Sequence, residues 1–166
     1  MENKKMNTNL SLNQIECALA KYFDTRKNII VCNVSFGLLD YEADMLILNR
    51  TGYLTEIEIK RSLFDLMSDF KKKHKHNDKK IKEFYYCVPD VLLENCIALC
   101  CENKQPITGI ITYTRDVVLQ THYRITLSRV YVELEPYFSG RKLFVEEQLQ
   151  LARLGVMRMW NYKNKE

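Results

Sequence analysis

The segment from Asp44 to Lys60 constrains the fold more than any other part of this 166-residue chain. Residues 45–48 are an apolar run of strand length. Residues 49–52 read Asn-Arg-Thr-Gly, and the glycine allows the positive φ of a tight reversal. Residues 53–60 alternate with period two, which is typical of a strand. The segment therefore predicts a β-hairpin.

The second strand of this hairpin carries its charges on one face. Period-two alternation places Glu56, Glu58 and Lys60 together and puts the intervening isoleucines on the other face. Asp44 begins the neighbouring strand and should lie beside them. Mg²⁺ prefers oxygen ligands and usually takes one or two protein carboxylates. Asp44 and Glu58 could therefore hold a divalent cation, with the Ile59 carbonyl oxygen as a third ligand. A lysine beside such a cation suits metal-assisted phosphodiester hydrolysis.

Asp44 is followed across a hairpin by Glu58, Ile59 and Lys60, and a helix comes next. This pattern resembles the motif of the PD-(D/E)XK nuclease superfamily. Within this superfamily the chain is most similar to the MmcB-like DNA-repair proteins. It is less similar to the Holliday-junction resolvases and the VRR-type nucleases. The similarity extends over about residues 11–113, which is most of the expected core.

The resemblance implies a role for four acidic or basic side chains. It implies that Asp44, Glu58 and Lys60 are catalytic and that Glu16, on the first helix, is an auxiliary metal ligand. The implied activity is Mg²⁺- or Mn²⁺-dependent hydrolysis of DNA by an endonuclease or DNA-repair nuclease. Ala43 precedes Asp44 where the superfamily name has proline. The residues alone leave Glu16 open between a metal ligand and a residue of the helix surface.

A basic run follows the motif. Its candidate DNA-binding residues are Lys71, Lys72, Lys73, Lys75, Lys79, Lys80 and Lys82. Lysines near the site could neutralise the phosphate backbone of DNA with little sequence preference, although such a run is also common on a solvated face. Tyr85 and Tyr86 come soon after, and aromatic residues beside basic ones can stack on unpaired bases. Packing in a buried strand is the alternative for at least one of these tyrosines.

The order of predicted elements is helix, three strands, helix, strand, helix, strand and a last helix. Ser11 is an expected N-cap of the first helix, and Ser62 is an expected N-cap of the helix after the motif. That second helix connects the motif strand to a buried strand at 84–88, so the two strands should run parallel. A further short edge strand is an option at 117–123. These features predict an α/β fold, with a central mixed β-sheet flanked by helices on both sides. The resemblance implies the same restriction-endonuclease-like core.

Length and composition fit one domain. Residues 1–9 are polar and predicted to be a flexible tail, which leaves 10–166 as a single nuclease-like domain. The net charge is only +4, so the location of the charge matters more than its sum. The sequence shows neither a signal-peptide pattern nor a membrane-spanning apolar stretch, and its six cysteines lie mostly in apolar segments. A cytoplasmic, reduced protein with no membrane partner is expected.

The last predicted helix covers 143–162 and contains several apolar residues. They are Leu149, Ala152, Leu154, Val156, Met157 and Trp160. A homodimer surface is one explanation for them, and core packing is the simpler one.

Two other functions are compatible with the same motif. The chain could be a non-catalytic DNA-binding or adaptor module that keeps the nuclease fold, although every expected catalytic position is filled. It could also be a structural or regulatory protein whose charged strand face is an ion-pair network. Glu56 is open between a second metal ligand and an exposed strand carboxylate, and the exposed carboxylate is favoured.

Overall fold

The computed structural model describes residues 10–35, 37–72, 76, 78–103, 109–117, 123–130 and 140–165. The tail predicted at residues 1–9 lies outside this described part of the chain. Only the backbone is described for residues 114–117 and 123–130.

Six strands form one mixed sheet, in the same order as they follow in the chain. They are β1 (Ile29–Val34), β2 (Ala43–Leu48), β3 (Leu54–Ile59), β4 (Ile81–Pro89), β5 (Gly109–Val117) and β6 (Tyr123–Val130). Strands β1, β2 and β3 pair antiparallel, β4 and β5 continue parallel to β3, and β6 returns antiparallel to β5. The parallel pairing predicted for the motif strand is therefore confirmed. The short strand expected at 117–123 falls mainly on residues 118–122, which lie outside the described part of the chain, between the end of β5 at Val117 and the start of β6 at Tyr123.

Four helices are described around this sheet. They are α1 (Leu12–Tyr22), α2 (Leu63–Asp69), α3 (Leu93–Asn103) and α4 (Val145–Lys163), with one 3-10 turn at Asp90–Leu92 before α3. The predicted caps are present: the Gln14 amide donates to Ser11 Oγ at 3.3 Å, and the Asp65 amide donates to Ser62 Oγ at 3.2 Å. Both caps satisfy backbone donors that the first turn of a helix leaves unpaired.

The helices cover both faces of the sheet. Helix α1 packs Ile15 and Leu19 into a core with one face of the central strands. Helices α2, α3 and α4 contribute Leu66, Cys96 and Leu151, among others, to the core on the opposite face. The prediction of an α/β fold with a mixed sheet between helices is therefore confirmed. No described helix is long and apolar enough to cross a membrane.

Helix α4 packs Leu151 and Leu154 into the core, and further along Arg158 donates to the Asn33 carbonyl of β1. A Cβ at Gly155 would lie 3.1 Å from Val31 Cγ2, so the glycine lets α4 pass close to β1. The large apolar side chains beyond that point are exposed to solvent. They are Val156, Met157, Met159, Trp160 and Tyr162. The core packing expected for the end of this helix is therefore wrong, and the homodimer stays a prediction.

The hairpin of β2 and β3 forms as the sequence predicts. Gly52 has φ +87°, and its amide donates to the Asn49 carbonyl at 3.0 Å. The Asn49 side chain accepts from the Thr51 amide at 3.0 Å and so closes the turn. This turn lies at one end of the sheet, and the start of β2 and the end of β3 lie together at the other end.

Candidate functional site

The three predicted catalytic side chains meet where β2 begins and β3 ends. Glu58 Oε1 accepts from the Asp44 amide at 3.3 Å, and Asp44 Oδ2 accepts from the Ile59 amide at 2.7 Å. Lys60 Nζ donates to Glu58 Oε2 at 2.6 Å and lies 3.8 Å from Asp44 Oδ2. The predicted pair of carboxylates with an adjacent lysine is thus one contiguous group, which we call the motif group (Asp44, Glu58 and Lys60).

The motif group opens to solvent on one side only. The side chain of Asp44 is 35% exposed, whereas those of Glu58 and Lys60 are 2% and 4% exposed. The Lys60 amide donates to the Cys87 carbonyl at 2.9 Å, which continues the pairing of β3 with β4. That pairing holds the Lys60 side chain on the same sheet face as Glu58. A ligand from solvent can reach this group past Asp44.

Asp69, at the end of α2, supplies the counter-charge that buries Lys60. Its Oδ1 lies 3.0 Å from Lys60 Nζ and 2.7 Å from Lys72 Nζ. Its Oδ2 accepts from Tyr86 OH at 2.8 Å and lies 2.9 Å from His76 Nε2. Asp69 could not be singled out from the sequence, because its contacts with Lys60, His76 and Tyr86 form only when separate segments fold together. The one available signal was helical spacing, which places it three residues after the buried Leu66.

His76 connects Asp69 to a fully buried glutamate. Its Nδ1 lies 2.7 Å from Glu56 Oε1, and Tyr41 OH donates to Glu56 Oε2 at 2.6 Å. His76 also stacks on Phe84 with ring centroids 4.8 Å apart. The prediction that Glu56 is an exposed strand carboxylate is therefore wrong. The physical reason is that His76 and Tyr41 provide the partners a buried carboxylate requires.

The carboxylates on both sides of His76 decide its protonation. Burial lowers its pKa, but hydrogen bonds to Asp69 and Glu56 outweigh burial and raise the pKa to about 9. Since both ring nitrogens face a carboxylate, the imidazolium form donates from each. Burial raises the pKa of Asp69, yet His76 and Lys60 together hold that pKa well below its usual range. His76 is therefore a buried cation between two buried anions.

The motif group has perturbed protonation as well. Burial raises the pKa of Glu58 to about 7, with a further contribution from the negative charge of Asp44. Burial lowers the pKa of Lys60, but Glu58 and Asp69 outweigh burial and raise that pKa above its usual range. Lys60 therefore carries an ammonium, and the ionised form of Glu58 is disfavoured where it lies. A cation beside Glu58 and Asp44 would relieve that repulsion.

The charges of the whole cluster do not balance. Its carboxylates are Asp44, Glu56, Glu58 and Asp69, and its cationic groups are Lys60, Lys72 and His76. With every group ionised, the cluster carries one negative charge more than it carries positive charges. This excess favours a bound cation.

Two sets of residues could hold a metal ion. Glu56, Glu58 and His76 each offer one ligand atom, and these atoms all lie within 4.8 Å of one another. In that set His76 would first have to lose a proton that it shares with a carboxylate. The other set, Asp44 and Glu58, offers the oxygen ligands that a hard cation prefers and is open to water. A metal on the second set would leave the pairs of His76 with Glu56 and Asp69 intact.

Glu16 lies on α1 near this group without a direct contact to it. Its Oε1 accepts from Asn33 Nδ2 at 3.0 Å. Burial raises the pKa of Glu16, and the charge of Asp44 adds to that rise. Within the described part of the chain, no hydrogen bond or ion pair joins Glu16 to Asp44 or Glu58. Its role as an auxiliary metal ligand stays a prediction, as does that of the Ile59 carbonyl.

The basic run is divided between the two ends of the sheet. Lys71 and Lys72 are exposed at the end of α2, and Lys73 and Lys75 lie outside the described residues. The second half of the run lies beside the hairpin turn, where β4 begins opposite Leu54. This half consists of Lys79, Lys80 and Lys82, and Lys82 Nζ lies 5.4 Å from the Tyr53 ring centroid. About five residues of strand, roughly 16 Å, separate that end from Glu58.

The tyrosines that follow the run are both buried, so the prediction that they stack on bases is wrong. Tyr86 donates to Asp69, and Tyr85 packs in the core beneath α1. The alternative, buried strand packing, holds for both. An exposed aromatic ring does lie near the motif group, on α2: Phe64, which the sequence pattern did not single out.

Comparison with known proteins supports the fold alone. No protein-family model matches the chain, and no curated protein matches it. One similar solved structure is described as "SPO1766 protein of unknown function from Silicibacter pomeroyi". The two share 15% sequence identity with a TM-score of 0.56, over 93% of this chain and 90% of that one. The fold and site together define an α/β protein with a buried acidic and cationic cluster where β2 begins and β3 ends.

Proposed function

We propose that this chain is a metal-dependent DNA nuclease and that the motif group is its catalytic centre. One observation carries the proposal: Lys60 Nζ lies 2.6 Å from Glu58 Oε2, with the half-exposed Asp44 beside them. The strand-turn-strand context is the one in which the PD-(D/E)XK superfamily carries these residue types. The excess negative charge of the cluster adds support for a cation.

Each member of the motif group has a separate role in this proposal. Asp44 and Glu58 would hold Mg²⁺ or Mn²⁺, with the Ile59 carbonyl oxygen and Glu16 as candidates for further ligands. When bound, the cation supplies positive charge that activates water and offsets the charge developing on the phosphate. The ammonium of Lys60 has three donors, of which Glu58 and Asp69 engage two. The third would orient the water that attacks phosphorus as the bond to the leaving oxygen breaks.

The proposed partner is DNA, held through its phosphate backbone. Lys71 and Lys72 directly follow the helix that ends at Asp69, and Lys72 pairs with the carboxylate that also binds Lys60. Such contacts would be salt-dependent and nearly independent of base sequence. They fit a DNA-repair nuclease that selects its substrate by structure.

The test is cleavage of labelled DNA by the purified protein in Mn²⁺. The panel would contain single-stranded, duplex, flap, mismatched and four-way-junction DNA. Lys60→Ala and Asp44→Asn should both abolish cleavage while most DNA binding is kept. Lys82→Ala is the matched control, because Lys82 is exposed at the far end of the sheet, and it should cleave normally. Circular dichroism would establish that the Lys60 variant is folded. Asp44→Asn is the second variant because Asp44 is half-exposed, so its replacement should destabilise the fold less than that of Lys60.

A second candidate is a DNA-binding or adaptor module without catalysis. The burial of Lys60 between Glu58 and Asp69 favours it, because a lysine so enclosed also makes sense as a purely structural ion pair. In that case the wild-type protein would bind members of the panel and cleave none. Asp44→Asn would then leave both DNA binding and the response to Mn²⁺ unchanged.

A further inference from the structure

Helix α2 presents an exposed apolar stripe beside the motif group. Phe64 is 81% exposed, more than any other large hydrophobic residue in the described part of the chain. Met67 follows three positions later on the same side of the helix, and the exposed Lys71 comes just after the helix ends at Asp69. Leu63 is exposed next to them. An isolated surface residue would need no explanation, but an aromatic ring grouped with two more apolar side chains does.

The helix holds Phe64 at a set place relative to Lys60. Ser62 caps the first turn, Leu66 is buried against the sheet, and Asp69 is bound to Lys60. Four residues of chain separate Lys60 from Phe64, which is at most about 14 Å between their Cα atoms. That distance corresponds to about four base steps of 3.4 Å. The ring is therefore within a few nucleotides of the bond that the motif group would cut.

The charges around the stripe favour an anionic, aromatic ligand. Arg61, Lys71 and Lys72 are exposed around it, and Asp65 is the one exposed acidic side chain of α2. Proteins that bind single-stranded nucleic acid combine cationic side chains, which follow the phosphates, with aromatic rings on which bases stack. A purely apolar protein partner would have no use for the three cations. Duplex DNA offers no open base face to Phe64.

We propose that Phe64 stacks on an unpaired base close to the bond to be cut. The substrate class is then DNA with single-stranded or frayed bases, and uninterrupted duplex is disfavoured. This inference rests on the proposed nuclease function and specifies which DNA the site takes. Phe64 is a specificity-determining residue in this account and takes no part in the hydrolysis itself.

The test measures binding of the full chain to a labelled single strand and to its duplex, in Ca²⁺ to avoid cleavage. Phe64→Ala should weaken single-strand binding by about 5- to 150-fold, the range for loss of one stacked base, and leave duplex binding unchanged. Phe64→Trp should keep single-strand binding, and Phe64→Leu should lose most of it. Phe144→Ala is the matched control. Phe144 is 63% exposed, and the neighbouring Leu143 bonds to Gly52 at the far end of the sheet.

The outcomes separate this inference from the proposed function. If the wild-type protein binds single strands and Phe64→Ala binds them equally well, the stacking role is wrong and the nuclease proposal stands. If the wild-type protein neither binds nor cleaves any DNA of the panel, the nuclease proposal fails first. If Phe64→Ala changes the sedimentation of the protein and leaves its DNA affinity unchanged, the stripe is a protein contact and the stacking role is overturned.

Discussion

Asp69 Oδ1 lies 3.0 Å from Lys60 Nζ, and this contact joins helix α2 to the strand that carries the motif group. Both side chains are almost completely buried. Asp69 also bonds to Tyr86 and His76, so one carboxylate ties α2 to β4 and to the segment that follows the helix. The position of Lys60 therefore depends on a residue outside the motif group.

Replacing Asp69 with alanine should destabilise the fold strongly. Lys60 and His76 would each lose a buried counter-charge, and removing one partner of a buried ion pair typically costs about 3–5 kcal/mol. The measurement is the free energy of unfolding from urea titration monitored by circular dichroism. Asp65→Ala is a matched control on the same helix, because Asp65 is exposed, and it should change the free energy by less than about 1 kcal/mol. Equal effects of the two substitutions would contradict the structural role of Asp69.

The metal-free protein should lose stability as the pH rises from about 6.5 to 9. The pKa of His76 is raised in the folded state, so its contribution is fully present below 6.5 and is lost as the pH rises through about 9. Glu58 has the same sign in a lower window: its raised pKa favours the protonated form, so its contribution is fully present below about 4.5 and is lost as the pH rises through about 7. For His76 the expected loss is roughly 3 kcal/mol.

The measurement is the free energy of unfolding in urea at several pH values with EDTA present. His76→Gln removes the ionisable group, so its stability should depend less on pH between 7 and 9 than that of the wild type. If the wild-type and variant slopes coincide, His76 is not the buried cation described above.

The local part of the fold and of the site could be predicted from the sequence. Period-two alternation and a turn glycine were enough to place Glu58 and Lys60 on one strand face and Asp44 beside them. These relationships depend on neighbouring residues and on strand geometry alone. The same holds for the caps at Ser11 and Ser62 and for the parallel crossover, which a short connecting helix imposes.

The rest of the site depends on contacts between distant segments. Asp69 and His76 are ordinary polar residues in sequence, and only the folding of α2 over the sheet brings them to Lys60 and Glu56. His76 also has φ +48°, a left-handed conformation that periodicity does not predict. Phe64 was missed for another reason. The many apolar residues of this short helix do not show which of them face the sheet, and the exposure of Phe64 is evident only after Leu66 is seen to take the inward position.

The two halves of the basic run should differ in their effect on DNA binding. Lys71 lies beside the motif group and Lys79 lies at the hairpin-turn end of the sheet. Lys71→Ala should weaken binding and reduce the slope of log affinity against log salt concentration by about 0.7–0.9, the loss of one phosphate contact. Lys79→Ala, the control of equal charge change, should leave both nearly unchanged. Fluorescence anisotropy across a salt series would measure both, and a larger effect at Lys79 would place the DNA on the other end of the sheet.

Divalent metal should stabilise the protein through Asp44 and Glu58. At a Mn²⁺ concentration of about 100 times the dissociation constant, linkage contributes about 2.7 kcal/mol. For a chain of this length that raises the melting temperature by about 5–10 °C. Asp44→Asn should abolish the rise, because it removes a ligand and keeps the shape of the side chain. Thermal unfolding with and without Mn²⁺ gives the measurement.

Glu56→Gln distinguishes this site from the buried set of Glu56, Glu58 and His76. Glu58 belongs to both sets, so its replacement cannot separate them. Glu56→Gln should lower the melting temperature of the metal-free protein, because His76 loses a counter-charge, and should leave the rise caused by Mn²⁺ intact. If the rise instead persists in Asp44→Asn and disappears in Glu56→Gln, the metal is bound within the buried set. His76 must then release a proton as the metal binds, which would be measured as proton release in weakly buffered solution.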